Sequence, residues 1–313
     1  MELSLMLMGQ IAAMVLIVLA GYLITKLGLM DGEQSRVISR VVVYVIVPCT
    51  LLNAFQTEFE VEKVEALAVS CVAAVLIHML YLGLTWGLSR GERGLTPAEQ
   101  GSIVYTNAGN LIIPLILGTL GSEYVIYTCP YMTVQSLLIW THGQALMGGG
   151  KGLTVKKVVT NPCLVSIFLG LVLFFLHIQL PGALGSAVSS LGSCIGPMSM
   201  LVIGVLLAET NLKEAFSHLR IYWVIFLRLM VYPLLTVLLL LAVGRLWGRV
   251  DGNRILLVTL LCSSGPPATT LTQLAQLFNN PESGYTSSIN AVTTVLCAAT
   301  MPVMILLFQL LSA

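Results

Sequence analysis

The sequence predicts an all-α polytopic membrane protein of ten transmembrane helices, arranged as two inverted five-helix repeats. Three observations predict it. Of the 313 residues, 57% are apolar and 9% charged, where a soluble domain carries about 25% charged residues. The few charges leave stretches long enough to span a bilayer, each needing about 20 apolar residues. No Asp, Glu, Lys or Arg occurs from Leu3 to Thr25, Ala66 to Ser89, Gln100 to Ser122, Tyr124 to Gly150, Val158 to Ala208, Ile255 to Pro281 or Ser283 to Ala313. The third observation is that proline-bearing segments recur five helices apart. Together these exclude an ordinary cytosolic enzyme.

The spans follow in order from the charge clusters and the Pro or Gly turns between them. The first, 5–27, has no Lys or Arg before its apolar run and no clear cleavage site, which fits a spanning helix better than a signal peptide. The second, 38–56, contains Pro48, and the third, 65–88, lies between the acidic cluster Glu58, Glu60, Glu62 and Glu65 and the basic pair Arg90 and Arg93. The fourth, 100–119, and the fifth, 124–147, are parted by a short loop with Glu123. The sixth, 161–178, and seventh, 186–208, share one charge-free stretch and turn at Leu180, Pro181 and Gly182. The eighth, ninth and tenth are 220–244, 254–278 and 286–311. Residues 1–150 form the first repeat, 151–158 a cytoplasmic linker, and 159–313 the second repeat.

Basic residues collect in cytoplasmic loops. Lys26, Arg36, Arg40, Arg90, Arg93, Lys151, Lys156, Lys157, Lys213 and Arg220 fall in or beside the odd loops, against Lys63, Arg245, Arg249 and Arg254 in the even ones. Ten against four puts the odd loops in the cytoplasm and both termini outside, in the cell (inner or plasma) membrane. The segment Ile46–Leu52 around Pro48 recurs as Ile195–Leu201 around Pro197, and Gly109 with Pro114 answers Gly265 with Pro266 and Pro267. Five is odd, so the two copies have opposite orientation, the plan of many secondary transporters.

The strongest polar signals lie inside two spans. Thr106–Pro114 (TNAGNLIIP) interrupts the fourth, and Cys262–Thr270 (CSSGPPATT) the ninth. Proline inside a helix removes a hydrogen bond and clashes with the preceding turn, and opened backbone at membrane depth must be satisfied by protein or a water-filled cavity. These segments read as broken helices whose amino ends, amides and hydroxyls suit a small anion. The candidate substrate-binding residues are Asn107, Asn110, Pro114, Ser263, Ser264, Pro266, Pro267 and Thr269. Arg228, His78 and His142 are candidates for charge balance or coupling. Arg228 lies inside the eighth span and either balances an anionic substrate or bonds carbonyls and helix ends, while each histidine either carries a proton or packs. The hydroxyl run Ser287, Ser288, Asn290, Thr293 and Thr294 either holds Na⁺ together with Ser263 and Ser264 or bonds helix to helix.

The seven cysteines are scattered without a CxxC pair, so no metal and no cofactor is expected. An intramembrane enzyme lacks its parts, because both aspartates, Asp31 and Asp251, fall in loops and no GxSxG or HExxH motif occurs.

The chain resembles the auxin efflux carrier family of membrane transporters, which includes plant auxin carriers and bacterial organic-acid permeases. The likeness runs through both halves in order: Val41–Phe55, Thr106–Gly121, Asn161–Leu173, Leu180–Glu209, Arg228–Leu235, and SGPPATTLTQLAQLF followed by the last span with Pro302. It implies that helices 4 and 9 cross at the substrate site and that helices 1, 2, 6 and 7 form a scaffold against which the rest moves. It also implies a substrate-binding asparagine near the fourth-helix crossing, where both Asn107 and Asn110 fall. The long cytoplasmic loop of many plant carriers is replaced by Lys151–Lys157, so regulation through it is not expected.

The expected function is therefore a secondary transporter of efflux-carrier type, moving a small organic anion such as a mono- or dicarboxylate by alternating access. An anion channel or a membrane sensor on the same fold is the alternative, although short loops leave no room for a signalling domain. The expected partners are the organic anion, membrane lipid, Na⁺ or H⁺ as coupling ion and a second copy of the chain as a homodimer, with no nucleic acid.

Overall fold

A computed structural model of the chain describes residues 2–91, 94–148, 159–210, 219–249 and 252–312. The expected linker 151–158, with its three lysines, and Arg93, Lys213 and Asp251 lie outside them. The described elements are helical, with one isolated antiparallel bridge. In order they are α1 (Glu2–Lys26), α2 (Gly32–Ala54), α3 (Val61–Leu88), α4 (Pro97–Val104), α5 (Ala108–Thr119), α6 (Cys129–Leu138), α7 (Pro162–Phe175), α8 (Gly182–Glu209), α9 (Leu219–Trp247), α10 (Gly252–Ser264), α11 (Thr269–Leu277) and α12 (Ser283–Ser312).

The protein is a multi-pass membrane protein. Among the described residues, α1, α2, α3, α8, α9 and α12 are long and apolar enough to cross a bilayer. They coincide with the expected first, second, third, seventh, eighth and tenth spans. The expected fourth and ninth spans are each divided, into α4 and α5 and into α10 and α11. The sixth is the 14-residue α7, and the fifth is composite, with a 3₁₀ turn (Ser122–Thr128) before α6 and a π turn (Ile139–Gly143) after it. The second span starts earlier than expected, because Asp31 caps α2 in a reciprocal box with Gln34. Its carboxylate accepts from Gln34 N at 2.8 Å, and Gln34 Oε1 accepts from Asp31 N at 3.2 Å, satisfying donors that a helix start leaves free.

Three π turns each end two residues before a proline. Val42–Ile46 precedes Pro48, Ala108–Ile112 precedes Pro114, and Leu227–Val231 precedes Pro233. The proline ring pushes on the carbonyl four residues back and supplies no N–H. A widened turn at that place takes up both defects without ending the helix.

The chain forms two compact units. The first comprises residues 1–68, 109–133 and 156–209. In it α1 lies along the second half of α8. Lys26 Nζ donates to Ala208 O at 3.0 Å, and the Glu209 carboxylate accepts from Gly32 N. Gly21 and Gly204 make the close approach possible: a Cβ at Gly204 would meet the backbone oxygen of Val18, and one at Gly21 that of Leu201. Further along, Thr50 Oγ1 lies 2.9 Å from Ile46 O and 3.0 Å from Gly192 O, tying α2 to α8, and the Phe55 ring rests on Gly170 of α7. Gly204→Val is expected to force α1 off α8 at an overpacking cost of about 1–3 kcal/mol, read as a lowered Tm in detergent, whereas Gly9→Val, with open space around it, should leave Tm unchanged.

The second unit comprises residues 69–108, 134–155 and 210–313. Here α3 and α9 are joined by two hydroxyl pairs, Tyr81 to Thr236 at 2.7 Å and Thr85 to Tyr232 at 2.8 Å. Fully buried Glu99 gathers the starts of three helices. It accepts from Arg220 Nη2 at 2.8 Å, from Tyr285 Oη at 3.0 Å and from Thr96 N at 2.9 Å. The sequence placed Arg220 in a loop and gave Glu99 no role. The carboxylate can be buried because every one of these partners is a donor.

Candidate functional site: the paired breaks in the second unit

The second unit holds two interruptions, and the second of them arises from local chemistry. α4 stops at Val104, and Tyr105 is extended (φ −103°, ψ 137°). α10 stops at Ser264, because Pro266 and Pro267 push the residues before them out of the helical region. The two extended segments then pair. Asn107 N donates to Pro266 O at 2.8 Å, Ala268 N donates to Tyr105 O at 3.0 Å, and Thr106 faces Pro267 in an antiparallel bridge. Two breaks thus satisfy part of each other's backbone.

Two side-chain amides satisfy more of it. Gln135, buried in α6, closes on Thr106 completely: its Oε1 accepts from Thr106 N and Oγ1, both at 2.8 Å, and its Nε2 donates to Thr106 O at 2.9 Å. Asn290 of α12 donates from Nδ2 to Pro267 O at 2.9 Å. The sequence reading missed Gln135 altogether. The available signal was an amide inside a charge-free span, five residues before Trp140.

Arg228 is fully buried and faces the carboxyl ends of both interrupted helices. Nη1 donates to Ile103 O at 2.8 Å, Nη2 to Ser263 O at 3.0 Å and Gly265 O at 2.7 Å, and Nε to Gly265 O at 3.0 Å. These contacts are bonds to carbonyls at helix ends. The negative ends of α4 and α10 are occupied by one fixed cation. The amino end of α11 carries no side-chain cap, since Ala268 is the capping residue.

The other candidates are placed as follows. Asn107 is nearly buried, and its side-chain amide has no protein hydrogen bond among the described residues. Thr269 is half-buried in the first turn of α11. Ser263 Oγ donates to Leu260 O at 2.8 Å, whereas buried Ser264 Oγ has no partner among the described residues. Pro266 and Pro267 form the break itself. Asn110, half-buried, and Pro114, buried, belong to the first unit. His78 Nδ1 lies 2.8 Å from Ala74 O within α3, and His142 Nδ1 lies 2.8 Å from Tyr105 Oη. The α12 hydroxyls bond carbonyls of their own helix, Ser287 to Ser283 O and Ser288 to Gly284 O at 3.1 Å and Thr294 to Asn290 O at 2.7 Å, as hydroxyls in spanning helices do. Among the described residues no group of three or more His, Cys, Asp or Glu could hold a metal.

Comparison with known proteins bears on this arrangement. The family model described as "Membrane transport protein" matches residues 6–157 and 151–305. A protein of Rhizobium meliloti (strain 1021) named "Putative malonate transporter" is 23% identical over 311 residues, covering 94% of each chain.

Proposed function

Because the chain belongs to the membrane transport protein family, that of the auxin efflux carriers, and so transports a small organic molecule across the membrane rather than transforming it, we propose that its cargo is a small carboxylate bound where the two breaks pair. The single observation that carries this reading is the distribution of charge there. Arg228 occupies the carboxyl ends of α4 and α10, so what remains open is the uncapped amino end of α11 and the unbonded amide of Asn107. Free N–H groups at a helix start, an amide and half-buried Thr269 accept a carboxylate. The name of the Rhizobium relative supports a dicarboxylate such as malonate.

The ten-helix, inverted-repeat organisation, with residues 1–150 and 159–313 as its halves, belongs to the same proposal. The family match falls into two stretches that meet at 151–157. Gln135 and Asn290, in the expected fifth and tenth spans, each hand an amide to a break in the preceding span. Odd loops in the cytoplasm, alternating access by movement of the crossing, a coupling role for Na⁺ or H⁺ and a homodimer complete the proposal.

Malonate is expected to raise the Tm of the purified protein, because a ligand of the folded state stabilises it by RT ln(1 + [L]/Kd). Asn107→Ala should weaken binding by roughly tenfold, the value of one hydrogen bond to a charged group. A panel of mono- and dicarboxylates that leaves Tm unmoved, or an Asn107→Ala protein of unaltered affinity, would remove this site. Tracer counterflow in liposomes separates carrier from channel, since trans-acceleration by internal substrate requires a carrier.

A further inference from the structure

Tyr105 belongs to the pairing of the breaks through its carbonyl, which accepts from Ala268 N. Its hydroxyl has two neighbours, His142 Nδ1 at 2.8 Å and Leu138 O at 3.1 Å. A phenol has one proton, and the carbonyl can only accept. Both contacts are hydrogen bonds in one arrangement alone: Tyr105 donates to Leu138 O, and Nδ1–H of His142 donates to the Tyr105 oxygen. The ring therefore carries its resting proton on Nδ1, and the nitrogen left to receive another is Nε2. His142 is half-buried, and among the described residues Nε2 has no protein hydrogen bond and is not one of the buried atoms that lack a partner.

Local structure supports this use of the ring. His142 sits in the π turn Ile139–Gly143, a widening often found at functional sites. Gly143 gives the tyrosine room, since a Cβ there would stand 3.3 Å from the Tyr105 ring. The surrounding ionisable groups are few. Tyr105 faces the ring directly, α11 brings Leu271 and no ionisable residue, Glu99 of α4 is held by Arg220 and Tyr285, and Arg228 is spent on carbonyls. No carboxylate among the described residues bonds the imidazole.

We infer that His142 is a proton-binding site tied to the crossing, taking its proton on Nε2 while its bond to Tyr105 stays intact. This rests on the crossing being the anion site. Proton uptake then adds one positive charge, uncompensated by any carboxylate among the described residues, to the element that holds the Tyr105 break, and the anion binds more tightly as pH falls.

Two measurements test it. With ¹⁵N-histidine, four imidazoles are present, and His142→Gln assigns the one in question. The expected result is Nδ1 protonated throughout, with Nε2 gaining a proton between pH 8 and pH 5. A ring protonated on Nε2 with bare Nδ1, or one that takes up no proton in that range, overturns the inference without reference to any substrate. The second measurement is malonate affinity at pH 8 and pH 5 for the native chain, His142→Gln, and His177→Gln as an exposed control. The native chain and the control should gain about tenfold at the lower pH relative to His142→Gln, as one unit charge in a partly buried site produces; the ligand's own titration is common to all three. Equal pH dependence in all three proteins overturns the coupling. Absence of malonate binding at both pH values counts against the anion site instead, and the imidazole spectrum still judges the proton site.

Discussion

Arg228→Gln is expected to abolish transport and to lower thermal stability in the same protein. The guanidinium supplies four contacts at 2.7–3.0 Å to Ile103, Ser263 and Gly265 carbonyls, and glutamine has one amide to offer. Each buried carbonyl left bare costs about 1–3 kcal/mol, so a loss of about 3 kcal/mol is expected. Charge matters as much as bonding. Without the cation, the negative ends of α4 and α10 stand unopposed beside the place proposed for an anion. Arg228→Lys should separate the two contributions: it restores charge but not the planar fork that reaches three oxygens. Partial recovery of malonate affinity with incomplete recovery of Tm is the expected outcome. A glutamine variant with native Tm and native uptake would show that neither contribution matters.

Gln135→Leu should be the next most damaging change. It strips Thr106 of both acceptor contacts and of the donor to its carbonyl. Two buried donors and one buried acceptor then have no partner, worth roughly 3–6 kcal/mol in sum. Asn290→Leu removes one contact, to Pro267 O, and should cost about a third as much. Guanidine or thermal unfolding in a fixed detergent compares the two. Equal effects would mean that the two amides do not differ in how fully they satisfy their breaks.

What the sequence made legible is what acts locally. Charge placement and apolar length mark helices that must lie in lipid, so α1, α2, α3, α8, α9 and α12 fall where expected. Pro266 and Pro267 act on the residues beside them, so the break after Ser264 is readable from CSSGPPATT. The break after Val104 is less obvious, because Pro114 lies ten residues on and is served by a π turn of its own. Contacts between distant segments were illegible. Gln135 looks like any polar residue in a spanning helix until Thr106 is seen 29 positions away. Nothing beside Glu99 in the sequence marks it for burial, and only the approach of Arg220 and Tyr285 reveals why it can be buried. For Arg228 the sequence posed two alternatives, and only the fold shows which carbonyls its guanidinium reaches.

The pairing of α1 with α8 also bears on how the protein is made. Lys26 meets Ala208 across 182 positions, so α1 packs against a helix that is synthesised much later. At about 5–20 residues per second, α1 waits on the order of 10–40 s with Gly21 and its neighbours facing lipid. Its survival in that interval depends on hydrophobicity alone, for its eventual partner does not yet exist. A glycine there that is small for packing is also small in membrane affinity, and bulkier replacements would favour insertion while obstructing assembly. Biogenesis and the mature contact therefore select opposite residues at the same position.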